Sequence, residues 1–142
     1  MPRPGWLEHD PDEIFSKVQL CLSEVAQKMS SRGIAIHDVG TVGITCQRET
    51  TVVWDKETGV PLHNAIVWSD TRTTSVLHDL ELACKKNNIN LPEMTGLALS
   101  TYFSGPKVRW MIDNDEKVKK ALCEDKTAII GTIDTWLLYK LT

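Results

Sequence analysis

The sequence predicts an α/β fold in which helices cover a small mixed sheet. A helix-start signal at Asp10–Glu13 precedes apolar residues at helical spacing, which indicates a long first helix. Two β-branched runs follow at Val39–Thr45 and Thr51–Asp55, and a third apolar run returns at Pro61–Trp68. Helical patterns then dominate, with one more short strand near the end. This order of elements is typical of an α/β domain.

Composition limits the classes of protein to which the chain can belong. Its 142 residues, 42% hydrophobic and 25% charged, suit one globular domain. The net charge of -3 offers no basic footprint for nucleic acid. The sequence has no apolar run long enough to span a membrane and no signal-peptide pattern. The four cysteines and four histidines show no metal-binding spacing, and the cysteines are expected to be reduced thiols in the cytoplasm.

The first helix has clear signals at both ends. Asp10 is a suitable N-cap, Pro11 fits the first helical position, and Glu13 lies three residues beyond the cap. Arg32-Gly33 provides the stop. An apolar stripe is predicted to cover one face of the sheet, and it consists of Ile14, Val18, Cys21, Leu22, Val25 and Met29.

The strands are predicted from the β-branched runs and from one turn. Lys56–Gly59 is a turn in which Gly59 can adopt a positive φ. Thr51–Asp55 and the following apolar run should therefore form a hairpin. Val39–Thr45 is predicted as a further strand, although its pairing is left open.

Polar caps divide the middle of the chain into helices. Ser69 or Asp70 is expected to cap a second helix, which Lys85–Asn88 closes. Residues 91–100 form a loop or a short helix. Ser104 is expected to cap a third helix.

The last part of the chain is predicted to contain two helices around a strand. Asp113 or Asp115 should start a short fourth helix. Thr127–Ile130 is a short strand, Gly131 should turn the chain, and Asp134 should cap the final helix.

Arg48 and Glu49 are the first candidate site residues. They stand side by side between two apolar runs, with no Gly or Pro to mark an exposed turn. A guanidinium offers several donors and a carboxylate offers acceptors, so the pair suits a small neutral ligand rich in hydroxyl groups. The alternative from these two residues alone is a strand-end ion pair that binds no ligand.

Two aromatic residues are candidates for the wall of the same pocket. Trp68 and Tyr102 each stand just before a predicted helix, where aromatic side chains can line a small-ligand site, although core packing is the alternative. Asp70 and Arg72 form a polar pair near Trp68, for which capping is the preferred interpretation. Basic residues that alternate with acidic ones are predicted to form a solvated helix face: Lys107, Arg109, Lys117, Lys119 and Lys120.

Several segments resemble the glycerol kinases of the FGGY family of carbohydrate kinases. The segments are Pro4–Pro11, Gly43–Gly59, Asn64–Thr73, Ser100–Asn114 and Gly131–Leu137. Within them, Q-R-E-T-T-x-V-W is specific to glycerol kinases in that family. The Y-x-S-x-x-K-x-x-W pattern resembles the signature of the wider family, and its members are Tyr102, Ser104, Lys107 and Trp110.

The resemblance implies an actin/hexokinase-like domain of the ribonuclease-H type and a cytoplasmic enzyme. It implies transfer of the ATP γ-phosphate to glycerol with Mg²⁺, giving sn-glycerol 3-phosphate. By motif, Arg48 and Glu49 would bind glycerol hydroxyls, Tyr102 would complete that shell, and Trp68 would pack on the glycerol carbons. The full-length enzyme would be a homo-oligomer, and whether it also associates with the mitochondrial surface is left open.

The same resemblance suggests that residues 1–142 form most of a substrate-binding N-terminal domain. The first strands, the phosphate loop, the catalytic aspartate and the C-terminal ATP-binding domain would lie outside this segment, and both ends look cut. No glycine-rich phosphate loop is present, so the segment alone is expected to be inactive. Two alternatives are a non-catalytic polyol-binding or interaction protein and another FGGY sugar kinase, such as one for a pentulose.

Overall fold

A computed structural model describes residues 2–142, so Met1 of the predicted N-terminal loop lies outside the described residues. Within this range one sheet contains the strands β1 (Glu8–His9), β2 (Thr51–Asp55), β3 (Ala65–Ile66) and β4 (Ala128–Thr132). Their order is β1-β3-β2-β4, and all three pairings are antiparallel. The α/β class is confirmed, whereas the prediction of a mixed sheet is wrong.

The described residues also contain six α-helices. They are α1 (Pro11–Ser31), α2 (Thr74–Lys86), α3 (Leu91–Thr95), α4 (Ser104–Asn114), α5 (Glu116–Lys119) and α6 (Ile133–Leu141). A 3₁₀ turn covers Ile36–Asp38, and a π-helical turn at Lys120–Glu124 continues α5. None of the helices in the described range is long and apolar enough to cross a membrane.

Helix α1 begins and ends where the local signals predict. The Asp10 carboxylate accepts hydrogen bonds from the backbone N–H groups of Asp12 and Glu13, at 2.9 and 3.3 Å. Pro11 occupies the first helical position, where its missing N–H costs nothing. Gly33 adopts a φ of +72° just beyond the C-cap, which an L side chain would resist.

The predicted apolar stripe of α1 is only partly buried. Ile14 and Val18 pack against the core, but Leu22 and Val25 are 45% and 54% exposed. The N-terminal half of the helix therefore covers the sheet. The C-terminal half has no sheet beneath it in the part of the chain described, and the expectation that the whole stripe is buried is wrong.

Val39–Thr45 does not form the predicted strand. Its backbone is irregular, and its β-branched side chains reach the solvent, with Val42 73% and Ile44 41% exposed. A strand requires a neighbour for its backbone N–H and C=O groups, and residues 2–142 provide none at this position. High β propensity without a partner does not produce a ladder.

The hairpin after this segment is confirmed. Strand β2 has the predicted bounds, Gly59 adopts a φ of +67° in the turn, and Thr51 pairs with Ile66 of β3. The returning strand is shorter than predicted. Only an isolated bridge at Pro61 and the two residues of β3 are paired, and a proline cannot donate to the ladder.

Strand β2 is buried on both faces because helices cover the sheet from both sides. Val52 and Trp54 point to a cluster that includes residues of α1 and α6, and Trp136 is its central aromatic. Val53 points to the opposite cluster with Met111 of α4 and Val118 of α5. The alternation follows the two-residue period of a strand and gives a three-layer arrangement.

Two predicted caps have long-range partners instead. Helix α2 begins at Thr74, after Thr73, and Asp70 binds Arg72 and the Leu7 N–H. Helix α4 follows Phe103, and Ser104 is its first residue rather than its cap. Asp115 does cap α5 as predicted, because its carboxylate accepts hydrogen bonds from the backbone N–H groups of Lys117 and Val118.

The last strand and helix are also displaced from their predicted positions. Gly131 lies inside β4 rather than in a turn, and a Cβ there would come within 2.9 Å of Trp54 and of Thr135. A glycine at this position therefore permits close packing of α6 on the sheet. Asp134 lies within the first turn of α6 and accepts a hydrogen bond from the Thr132 hydroxyl, so Thr132 takes the N-cap position.

A buried ionic network attaches the N-terminal segment to the rest of the fold. The Arg72 side chain is fully buried and donates to both carboxylate oxygens of Asp70, at 3.0 and 2.8 Å. It also donates to Glu8 at 2.6 Å. Trp6 and Trp110 lie over its guanidinium, at 4.0 and 4.8 Å from the ring centroids. Three charge-assisted hydrogen bonds and the two nearby tryptophan rings offset the cost of burying this cation.

We predict that Asp70→Asn lowers the free energy of unfolding by about 3–5 kcal/mol, since it breaks a buried ion pair. Asp113→Asn is the matched control, because Asp113 pairs with Arg109 at the surface, with side chains 40% and 60% exposed. That control should cost at most about 1 kcal/mol. Chemical denaturation of both variants measures the difference, and equal losses would contradict the assignment.

We also predict that the chain is poorly soluble by itself and that the exposed β-branched segment is one cause. Val42→Lys should raise the concentration at which light scattering begins, because a charge opposes strand-to-strand pairing. Val60→Lys is the control at a similarly accessible valine, which is 56% exposed in the hairpin turn. A sharp cooperative melt of a monomeric wild-type chain, or equal effects of the two variants, would refute this prediction.

Candidate functional site

Glu49 lies in a turn that leads into β2, and its carboxylate is held by the start of α4. Its Oε2 atom accepts hydrogen bonds from the backbone N–H and the hydroxyl of Ser104, both at 2.8 Å. Arg48 is exposed beside it, and no ion pair joins the two residues in the described part of the chain. The carboxylate is therefore fixed by protein contacts while the guanidinium faces solvent.

Lys107 lies beneath this turn and is fully buried. Its Nζ donates to the backbone carbonyls of Glu49 at 3.0 Å, of Phe103 at 3.4 Å and of Tyr102. An ammonium group has three protons, and three carbonyls accept them. The prediction that Lys107 belongs to a solvated basic face is therefore wrong, although Arg109, Lys117, Lys119 and Lys120 are exposed as expected.

Burial changes the acidity of this lysine. Desolvation lowers the pKa of Lys107 from the usual 10.5 to about 8, although the negative charges of Glu49 and Asp70 favour the protonated form. The three carbonyl acceptors match the three protons of a charged ammonium group. Lys107 is therefore mostly charged at neutral pH and loses its proton in mildly alkaline solution.

Trp68 and Tyr102 form an aromatic pair next to the Glu49 turn. Their ring centroids are 6.1 Å apart at an interplanar angle of 67°, and Trp68 is 45% exposed. The backbone N–H of Trp68 donates to the Thr50 hydroxyl at 3.1 Å, and this bond connects Trp68 to the neighbour of Glu49. The structure thus brings three of the predicted site residues together, with Arg48 exposed on the same turn as Glu49.

The Y-x-S-x-x-K-x-x-W pattern can now be explained residue by residue. Tyr102 contributes an aromatic ring and a carbonyl, and Ser104 binds the Glu49 carboxylate. Lys107 holds the carbonyls, and Trp110 stacks on the buried Arg72 guanidinium. Sequence reasoning missed the contributions of Ser104 and Lys107. The only available signal was the pattern itself, because neither a serine nor a lysine at a helix start is unusual.

Cys46 lies on the other side of the turn and is not part of this group. Its side chain packs against the core cluster around Trp54. Burial, followed by contact with the Asp134 carboxylate, raises the pKa of the Cys46 thiol. The hydrogen bond from Thr132 lowers the pKa of Asp134 against the effect of burial. A protonated, half-buried thiol has little nucleophilic reactivity.

The arrangement has the chemistry to bind hydroxyl groups. A fixed carboxylate accepts, an exposed guanidinium donates, and an aromatic surface covers carbon atoms. Within residues 2–142 no group of three His, Cys, Asp or Glu side chains could hold a metal ion.

A cavity of about 420 Å³ lies elsewhere, between α2, α3 and α4. Leu80, Leu97 and Pro106 are among the residues that line it, and its wall is apolar. It offers no convergent set of partners for hydroxyl groups. The polar group around Glu49 does not line this cavity.

Comparison with known proteins gives one family. The family model described as "FGGY family of carbohydrate kinases, N-terminal domain" matches residues 1–142. Curated relatives include the glycerol kinase of Corynebacterium glutamicum at 46% identity over 141 residues and that of Arabidopsis thaliana at 45% over 145. A probable glycerol kinase of Caenorhabditis elegans is 44% identical. Each alignment covers 99% of this chain but only 26–28% of the relative, so the chain spans about a quarter of their length.

Solved structures agree on the fold. A crystal structure of Plasmodium falciparum glycerol kinase with ADP matches 99% of this chain and 27% of its own, with a TM-score of 0.89 and 39% identity. A xyloylose kinase from Brucella ovis matches 83% of this chain and 23% of its own, with a TM-score of 0.65 and 22% identity. The second likeness concerns the fold alone.

We predict that the buried Lys107 makes stability depend on pH. Between its folded pKa of about 8 and the usual 10.5, the unfolded state binds the proton and the folded state does not, so the contribution of Lys107 to stability rises with pH. The unfolding free energy of wild type minus that of Lys107→Met should increase by at most roughly 2 kcal/mol from about pH 7.5 to about pH 9.5.

Lys117→Met is the control for this measurement, since Lys117 is exposed. Its difference from wild type should not change across the same pH range. A difference for Lys107→Met that is flat or falls with pH would show that the pKa is not lowered in the folded state.

Proposed function

Because this chain belongs to the FGGY family of carbohydrate kinases, we propose that it forms the glycerol-binding part of a glycerol kinase. The observation that carries the proposal is the Glu49 carboxylate, whose Oε2 accepts two hydrogen bonds from Ser104 next to the Trp68–Tyr102 pair. Relatives at 44–48% identity carry the name glycerol kinase, which supports glycerol over a pentulose.

Each predicted residue has a role in this proposal. Arg48 donates to glycerol hydroxyls and Glu49 accepts from them, because one is an exposed donor fork and the other a fixed acceptor. Tyr102 completes the polar shell. Trp68 covers the carbon atoms, which its exposed ring can do without rearrangement. A site built on such contacts rejects analogues that lack a hydroxyl group.

The complete enzyme, on this proposal, transfers the γ-phosphate of ATP to glycerol and yields sn-glycerol 3-phosphate. ATP and Mg²⁺ would supply the phosphoryl group and neutralise its charge. The described residues contain no metal-binding cluster, and the sequence contains no glycine-rich phosphate loop, so we assign neither cofactor to side chains of this segment. Residues 1–142 would then be most of the substrate-binding domain of a cytoplasmic homo-oligomer.

We expect the chain to bind glycerol weakly and not to phosphorylate it. Saturation-transfer NMR at low micromolar protein should detect glycerol, whereas propane-1,2-diol, which lacks one hydroxyl, should give a much weaker signal. Glu49→Gln should weaken glycerol binding by at least about tenfold, as expected for a lost charged hydrogen bond of 1.5–3 kcal/mol. A coupled ADP-release assay should show no turnover.

Glu57→Gln is the control, because Glu57 is an exposed residue of the hairpin turn. Its affinity for glycerol should equal that of wild type. Equal binding of glycerol and the diol, or unchanged binding by Glu49→Gln, would remove the basis for the proposal. Robust turnover by the 142-residue chain would refute the assignment of catalysis to other parts of the enzyme.

A further inference from the structure

We propose that Lys107 is a positioning residue that clamps the Glu49 turn to the Tyr102 loop, and that polyol affinity depends on this clamp. The inference rests on the proposed function for its link to glycerol. Lys107 does not contact the ligand in this account, since its three protons are directed at backbone carbonyls.

The clamp joins two parts of the chain that are distant in sequence. The Glu49 carbonyl lies 58 residues before Lys107, whereas the Tyr102 and Phe103 carbonyls come from the loop just before α4. No strand supports the Glu49 turn from its upstream side, because residues 39–47 are irregular. Contacts from α4 therefore add to the hydrogen bonds that Thr50 makes with Gln47 and Trp68 in fixing its position.

The first turn of α4 binds both the side chain and the backbone carbonyl of Glu49. Ser104 binds the carboxylate, and Lys107, three residues further on the same helix face, binds the carbonyl. Both Ser104 contacts use Oε2, and Oε1 has no hydrogen-bond partner within the described residues. The second carboxylate oxygen is thus held in a defined position while it remains available to a hydroxyl group.

Burial of this cation is costly, which argues against a purely structural role. A methionine would fill a similar volume without desolvating a charge. The lowered pKa of Lys107 reflects that cost, and it persists although Glu49 and Asp70 face the ammonium and the Tyr102 ring centroid lies 5.9 Å away. A lysine here makes sense if the ordering of the carbonyls is what the position must supply.

The test combines glycerol titration by NMR with hydrogen–deuterium exchange of the whole chain. Lys107→Met should bind glycerol at least about tenfold more weakly than wild type, while the exposed Lys117→Met should be unchanged. In Lys107→Met, exchange should rise in peptides that cover 48–50 and 101–104, and it should stay constant in β2.

The outcomes separate this inference from the proposed function. If wild type does not bind glycerol, the proposed function fails, while local exchange in Lys107→Met still decides whether the clamp exists. If Lys107→Met does not fold, exchange of Lys107→Gln, whose amide has two donors where the ammonium has three, should still rise in the same peptides. Unchanged local exchange, or glycerol affinity equal to wild type in a folded Lys107→Met, would overturn the clamp.

Discussion

The candidate site depends on the hydrogen bonds between the first turn of α4 and Glu49. Ser104 and Lys107 lie one helical turn apart and bind the carboxylate and the carbonyl of the same residue. Without them the Glu49 turn would be held only by β2 and by the hydrogen bonds of Thr50 with Gln47 and Trp68, since the segment before it pairs with no strand in the described range. A carboxylate that must select hydroxyl groups has to be held in place before the ligand arrives, because ordering it during binding would reduce affinity.

A second buried cation, Arg72, contacts the same helix further along, at Trp110. Arg72 joins Glu8 and Asp70 and lies against Trp110, so it links the N-terminal segment and the start of α2 to α4. In both cases a buried cation joins segments that have little regular structure of their own. The small sheet and its two apolar clusters form the base on which α4 is placed.

Features with a local physical cause could be predicted from the sequence. Asp10, Gly59 and Asp115 act through neighbours within a few residues, and the structure has them in their expected roles. Asp70 and Ser104 have the same local chemistry, but partners remote in sequence use their side chains, so capping propensity gave the wrong result. The prediction of a strand at Val39–Thr45 was wrong for a related reason, because strand formation depends on a neighbouring strand that propensity does not describe.

The site residues show the same division. Nothing local distinguishes Lys107 from the exposed lysines that follow it, and only a fold that encloses it makes its charge significant. Arg48, Glu49, Trp68 and Tyr102 were identified by their chemistry and by resemblance to one family, and whether they bind glycerol is the central claim. A crystal structure of the chain with glycerol tests it most directly. The account predicts glycerol hydroxyls on Arg48 and the free Oε1 of Glu49, with carbon atoms against Trp68. Glycerol bound only elsewhere, with these side chains unoccupied, would contradict it.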